Sequence, residues 1–360
     1  MSHYEERLAQ DLQTIRLEIS HVASDVSQAL QRSVAAIATH ERNLLYDVII
    51  DDLAVNRRVR KIDALCHAFV ARHLPAAGHL RFISSVLRLT IALERAGDYA
   101  VTISRVTLQL SQGLNPQIVE KIESLARKSQ SMMEDAIRAF LDGNVELARS
   151  TKRLGRRIDT SYDNLFHELI EETPRRPRIE LASLLTIFGK IERFSDQAKN
   201  ICEEAVFATT GDLKAPKIFR MLFLDEHNDL VSQIAAGIAW KSFPERGIFF
   251  SAGWSPHEAL HPQLNAVADR FALDMRRARP TLVTDLDETP TEYHVVVALN
   301  SDANTDVPHI PYHTILQRWD VPAPTVEPGE EFDRQIDISV RDLTDRINSL
   351  MERLSGRNTH

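Results

Sequence analysis

Cysteine is nearly absent from this chain: there are two in 360 residues, Cys66 and Cys202. Two thiols cannot make a disulfide framework, and their scarcity fits a reducing, cytoplasmic setting. Both lie inside runs of helical periodicity and read as small buried apolar residues. A long apolar run is missing too. Nothing approaches the ~18 consecutive apolar residues of a membrane span, so no direct membrane insertion is expected. There is no basic excess either. A net charge of −8 argues against nucleic acid as a partner, which would call for a basic face. The first residues, Met-Ser-His-Tyr-Glu-Glu-Arg-Leu, are charged from the start and do not read as a signal peptide.

What is present is mostly helix. With 43% hydrophobic residues the chain can bury two or three compact cores. Up to about Thr210, apolar residues recur every three or four positions, as in Leu8, Leu12, Ile15, Ile19, Val22, Val26 and Leu30. Breaks at Pro75–Gly78, Gly113–Pro116, Asp142–Asn144 and Pro174–Pro177 predict six helices, three per half, at about 4–39, 42–73, 79–111, 116–141, 145–172 and 178–209. Beyond residues 211–216 the grammar changes. Short apolar runs at Ile218–Leu224, Ile248–Ala252, Tyr293–Leu299 and His313–Trp319 alternate with an amphipathic helix near Val231–Phe243, one near Pro262–Phe271 and a last one near Glu330–Leu354. The expected architecture is multidomain. An all-α domain spans residues 1–212, with repeats at about 5–111 and 116–209, and an α/β three-layer domain with a parallel four-stranded sheet spans 216–360. Ligands on such a sheet bind beyond the carboxyl ends of the strands, which points to the loop Asp225–Leu230.

The third helix of each half carries one charged signature. Glu94-Arg-Ala-Gly-Asp98 and Glu192-Arg-Phe-Ser-Asp196 both read Glu-Arg-x-x-Asp, as expected of one helical unit used twice. Carboxylates four residues apart share a helix face, about 6 Å apart along the axis, and repel. Keeping them together calls for a cation. It could be the neighbouring Arg95 or Arg193, or a metal held by oxygen ligands from facing helices. A solvated face with simple Glu–Arg pairing is the plainer alternative, and both stay open at this point.

The residues around the signature carry a resemblance. LRFISSVLRLTIALERAGDYAVTI (Leu80–Ile103) and IERFSDQAKNICE (Ile191–Glu203) are similar to the PhoU family of bacterial regulators of phosphate uptake and phosphate sensing, over about residues 5–210. The resemblance implies a pair of three-helix bundles related by pseudo-twofold symmetry. It implies iron or zinc on each third helix, completed by acids on the second: Glu94 and Asp98 with Asp63, and Glu192 and Asp196 with Asp159. The second helices depart from the family pattern, because Val59 and Gly155 stand where an acid often precedes Asp63 and Asp159. Asp163 offers partial compensation in the second half, and His67 holds the equivalent place in the first. Fewer hard oxygen ligands predict one or two weakly held metals per half, or none. The resemblance also implies docking on the ATPase of a phosphate ABC transporter and on a sensor histidine kinase, and a homodimer.

A second resemblance covers about residues 216–356. Phe223–Ile238, Phe249–Pro256, Tyr293–Asn304 and Arg318–Pro324 are similar to low-molecular-weight tyrosine phosphatases and the related arsenate reductases. In that family a Cys-x-x-x-x-x-Arg loop supplies a thiolate at a helix N-terminus. Loop amides and the arginine surround the oxyanion, and a later aspartate before a proline is the general acid. Here Asp225 holds the cysteine position, Val231 the arginine position and Ala323 the aspartate position. Asp225, Glu226 and Asp229 would repel an oxyanion, and the plainest reading of this segment is an acidic, solvated loop. A new metal or ligand site built from Asp225, Glu226, His227 and Asp229 is the alternative. Ser232 is expected to cap the following helix, and Asn228 and Gln233 to hold the loop's shape.

For the whole chain the expectation is a non-enzymatic regulator of phosphate uptake and phosphate-responsive signalling that acts through protein contacts. The competing reading is an arsenate reductase or phosphatase fused to a metal-binding helical domain. A metal store or sensor built on the repeated carboxylates is a third.

Overall fold

The three-four spacing of apolar residues becomes six long helices in a computed structural model of the protein: α1 (His3–Thr39), α2 (Arg42–His73), α3 (Ala77–Thr107), α4 (Pro116–Asp142), α5 (Val145–Glu171) and α6 (Arg178–Thr210). The structure describes residues 3–110, 114–171, 177–212, 217–286, 293–300, 314–322, 324 and 329–356. The breaks fall where local chemistry puts them. Before α4, the Asn115 side chain accepts a hydrogen bond from the Gln117 amide at 2.9 Å, with Pro116 at the first helical position. After it, Gly143 sits at φ 65°, a left-handed conformation that costs glycine little. Asn144 then caps α5 by accepting from the Leu147 amide at 3.0 Å. The predicted third helix of 79–111 is displaced to Ala77–Thr107. Its last turn tightens into i→i+3 hydrogen bonds from Gln109 to Val106 and from Leu110 to Thr107.

The chain divides into two units, Met1–Lys214 and Ala215–His360. Within the first, α1–α3 pack together, as do α4–α6, and the halves meet through α3 against α6 and α1 against α4. One continuous core runs through both, with Phe69, Ile83 and Leu93 from one half and Ile187, Phe188 and Phe194 from the other. Each is almost fully buried, and side chains of this size contribute roughly 2 kcal/mol apiece by leaving water.

The second unit contains β1 (Phe219–Asp225), α7 (Val231–Ser242), β2 (Gly247–Gly253), α8 (Leu264–Phe271), β3 (Val295–Leu299), β4 (Ile315–Trp319) and α9 (Glu330–Leu354). All neighbouring strands are parallel, in the order β2-β1-β3-β4. Phe219, Met221 and Phe223 share a core with α7, α8 and α9, while Leu222 and Leu224 join a smaller core with Ala252, Tyr293 and Val296. Two expectations need correction. The helix α7 is not amphipathic, since all nine residues from Val231 to Ala239 are buried. Asp225 lies in the strand and not in the loop after it, where it pairs in register with Gly253. The strand order reverses direction at β1, so the β1–α7 connection sits at the switch point where such sheets bind ligands. Arg175, Arg176, His313 and Ala323 lie outside the described residues. Among those described, no helix is long and apolar enough to cross a membrane.

Candidate functional site

In the second helical half, the predicted acids converge. Asp159 of α5 and Glu192 and Asp196 of α6 each present an oxygen within 4.8 Å of the others. Three carboxylates this close repel unless a cation or a proton intervenes, and both do. The Lys199 ammonium lies 2.7 and 2.9 Å from the two oxygens of Asp159 and 2.8 Å from Asp196. Burial acts against that ammonium, but its bonds to Asp159 and Asp196 outweigh it and raise its pKa. Glu192 is 8% exposed. Burial, then the charges of Asp196 and Asp159, push its carboxyl up to about 8, and a hydrogen bond to Asp196 acts in the same direction. Near neutral pH, then, Glu192 holds a proton and Lys199 neutralises its neighbours. The counter-charge is Lys199 and not Arg193, which is exposed. Asp163 is buried, at 4% exposure, one turn along α5, outside the converging group.

Gly155 explains how the lysine fits. A Cβ built there would stand 2.2 Å from Lys199 Cε and 3.1 Å from both Cδ and Cγ. The position read from sequence as a lost ligand is the space through which the lysine stem passes.

The first half differs. Asp63 accepts a hydrogen bond from the Thr90 hydroxyl at 3.3 Å, Glu94 is half-buried, and Asp98, Arg95 and His67 are exposed. These acids do not form a converging group of three among the described residues. Val101 occupies the repeat position of Lys199, and Val59 that of Gly155; both are buried apolar residues. Asp98 instead acts on a residue that sequence reasoning missed. Asp52 of α2 has its carboxyl raised by burial and by the charge of Asp98, and accepts from the Asn56 amide at 2.9 Å.

The second-half acids lie close enough together to share a metal ion such as the iron or zinc that the resemblance implies, but Lys199 competes for them. In the second half an ammonium already bonds both aspartates, and in the first the ligands do not close. Lys199 was legible in principle, since it lies three residues after Asp196 and seven after Glu192, on the same helix face.

In the α/β unit, the β1–α7 connection keeps a defined shape. Asn228, at φ 49°, is fully buried. Its side chain donates to the Ser232 hydroxyl at 2.9 Å and accepts from the Thr281 amide at 2.9 Å. The Gln233 amide donates to the Asn228 carbonyl and the Arg279 carbonyl, each at 2.9 Å. Gly253 permits the close approach of this segment, since a Cβ there would meet the Glu226 carbonyl oxygen at 2.7 Å. Asp225 is only partly exposed, where a solvated loop was expected, and its carboxylate turns back onto the chain. One carboxylate oxygen accepts from the Asn228 amide at 2.6 Å and the other from the Ser232 amide at 2.9 Å. Burial raises its pKa, while the hydrogen bonds to Ser232 and Asn228 act in the opposite sense. Nor is Ser232 the helix cap. Leu230 is the cap residue, without a side-chain cap bond, and the Asp225 carboxylate meets the helix amide instead. The dispersed acids do not assemble into a metal site: Asp229 pairs with His257 at 2.8 Å, and His227 stacks on His257 with ring centres 3.9 Å apart. Cys66 and Cys202 are buried, with thiols pushed up to about 12 by desolvation, so neither is an activated nucleophile.

A duplicated three-helix bundle with Glu-Arg-x-x-Asp on each third helix defines the class of the first unit. The PhoU domain model matches residues 19–107 and 122–205, and the helical unit of this chain belongs to the PhoU family. The phosphate-specific transport system accessory protein PhoU homolog of Pseudomonas putida is 28% identical over 212 residues, 58% of this chain and 83% of that protein. PhoU of Escherichia coli K12 is 27% identical over 203 residues, 56% of this chain and 84% of that protein. The crystal structure of the phosphate transport system regulatory protein PhoU from Streptococcus pneumoniae superposes with a TM-score of 0.54 and 27% identity, covering 59% of this chain and all of that one. A solved arsenate reductase aligns with 38% of the chain at a TM-score of 0.32 and 18% identity, too slight a likeness to bear on chemistry.

Proposed function

We propose that this protein is a regulatory accessory protein of phosphate transport that works by protein contact and not by catalysis. The observation that carries this reading is the PhoU domain match over residues 19–107 and 122–205, whose relatives are named as accessory proteins of the phosphate-specific transport system. The partners this reading calls for are the ATPase of a phosphate ABC transporter and a sensor histidine kinase, with the protein a cytoplasmic homodimer.

The non-enzymatic part of the proposal rests on the second unit. Its loop lies at the sheet's ligand position, but Asp225 stands where a thiolate would and holds two loop amides with its own carboxylate. Val231, at the place of the phosphate-binding arginine, is apolar and buried. The unit then serves as a recognition module. Deleting the gene should alter phosphate uptake and phosphate-regulated transcription; unchanged uptake and transcription would refute the regulatory role. Purified protein should turn over neither an aryl phosphate nor arsenate. Turnover abolished by changing Asp225 would establish the enzyme instead.

A further inference from the structure

We propose that in the second half of the PhoU domain the ammonium of Lys199 takes the place of a metal ion, and that Gly155 is the companion change that admits the lysine. Three observations support this. First, the ammonium is saturated. A lysine has three N–H donors, and here three carboxylate oxygens lie within 2.9 Å of the nitrogen: both of Asp159 and one of Asp196. A divalent cation recruited to the same oxygens would have to expel it.

Second, Gly155 and Lys199 are sterically coupled. A Cβ at 155 would come 2.2 Å from Lys199 Cε, so even alanine is incompatible with the lysine where it lies. An acid at 155, which would enrich a metal site, would likewise have to push the lysine stem aside. The absence of a side chain at 155 and the presence of the lysine at 199 are two parts of one packing arrangement.

Third, the first half has neither change. Val59 and Val101 stand at the corresponding positions, both buried, and the acids there do not converge. The cation therefore accompanies the converging cluster and not the Glu-Arg-x-x-Asp signature as such. A tethered cation has an effective concentration that does not vary with supply, so this half of the domain keeps its shape whatever metal the cell holds. This inference stands independently of the proposed role in phosphate transport.

The test is titration of the chelator-stripped full-length protein with Mn²⁺ and with Zn²⁺ by calorimetry, with elemental analysis of bound metal. Lys199→Met should bind one more ion per chain than the wild type, or bind it at least tenfold tighter. Adding Glu192→Gln to that variant should remove the gain. Gly155→Ala keeps every charge but takes the space of the lysine stem, and should shift affinity the same way by a smaller factor. It carries the test if Lys199→Met does not fold by circular dichroism. A wild-type protein that binds an ion as tightly as Lys199→Met, and loses it on Glu192→Gln, would overturn the proposal. So would folded variants that bind no more metal than the wild type.

Discussion

Glu94-Arg-x-x-Asp98 and Glu192-Arg-x-x-Asp196 are one signature on equivalent helices of a repeated bundle, yet they sit in opposite environments. In the first half, Asp98 faces solvent and Glu94 is only half-buried. In the second, Glu192 is buried and three carboxylates crowd one lysine. The signature alone does not decide the chemistry. The residues that do are two that lie outside it, Gly155 and Lys199, against Val59 and Val101. With apolar residues at both positions, the acids stay apart or meet water. With a glycine and a lysine, they gather around an internal cation.

The largest effect that would sharpen this contrast is loss of that cation. Lys199→Ala should cost about 2 kcal/mol, less than the ~3–5 kcal/mol of a fully buried pair, because Asp159 and Asp196 remain 33% and 40% exposed and water screens them. Urea unfolding of the full chain, followed by the helical signal, reads it; a change under 0.5 kcal/mol would mean the ammonium is not needed there.

Next comes Glu192. Its folded carboxyl titrates at about 8 against an ordinary 4.5. Below pH 4.5 both folded and unfolded states hold the proton and the stability is fully present. Between pH 4.5 and 8 the unfolded state releases the proton while the folded state keeps it, so stability falls through that window and the loss is complete once pH passes about 8. Glu192→Gln should flatten that slope, so that the variant gains on the wild type as pH rises from 5 to 8. A wild type whose melting temperature is level from pH 5 to 8 would contradict this.

The α/β unit extends the comparison. There the chain supplies the anion, as the helical unit supplies the cation: Asp225 holds the Asn228 and Ser232 amides that frame the loop. Removing it in Asp225→Ala leaves those amides without an acceptor, at a cost of about 1 kcal/mol. Hydrogen exchange at residues 226–232 should report the loosening, and unchanged protection would show that Asn228 and Gln233 suffice. The smallest effect belongs to the first half. Glu94→Gln and Asp98→Asn should each shift stability by less than about 0.5 kcal/mol, in contrast to their counterparts; a larger loss would put a cation there as well.

Much of this was legible in one dimension. Apolar spacing and the turns at Pro75, Asn115-Pro116 and Gly143 divide the helices, and the duplicated signature identifies the family. The short apolar runs foretell a parallel sheet. Other readings failed for a common reason. Gly155 looked like a lost ligand because spacing shows which side chains share a face but not what fills the gap when one is absent. Lys199 drew no attention, because nothing local ties it to Asp159, forty residues away. Asp225 looked solvated in an acidic stretch, although one more residue of strand carries it to the end of the sheet, where loop amides turn back onto it. The helix α7 looked amphipathic, but packing buries it all round through Ala239.

By itself, the sequence determined the helices, their duplication, the strands that follow and the acids that mark each third helix, because these depend on periodicity and local turn chemistry. Only the tertiary structure decided which acids meet, and what meets them. A carboxylate's partner is set by distances of about 3 Å between residues forty positions apart, as for Asp159 and Lys199, and no local pattern encodes such a distance.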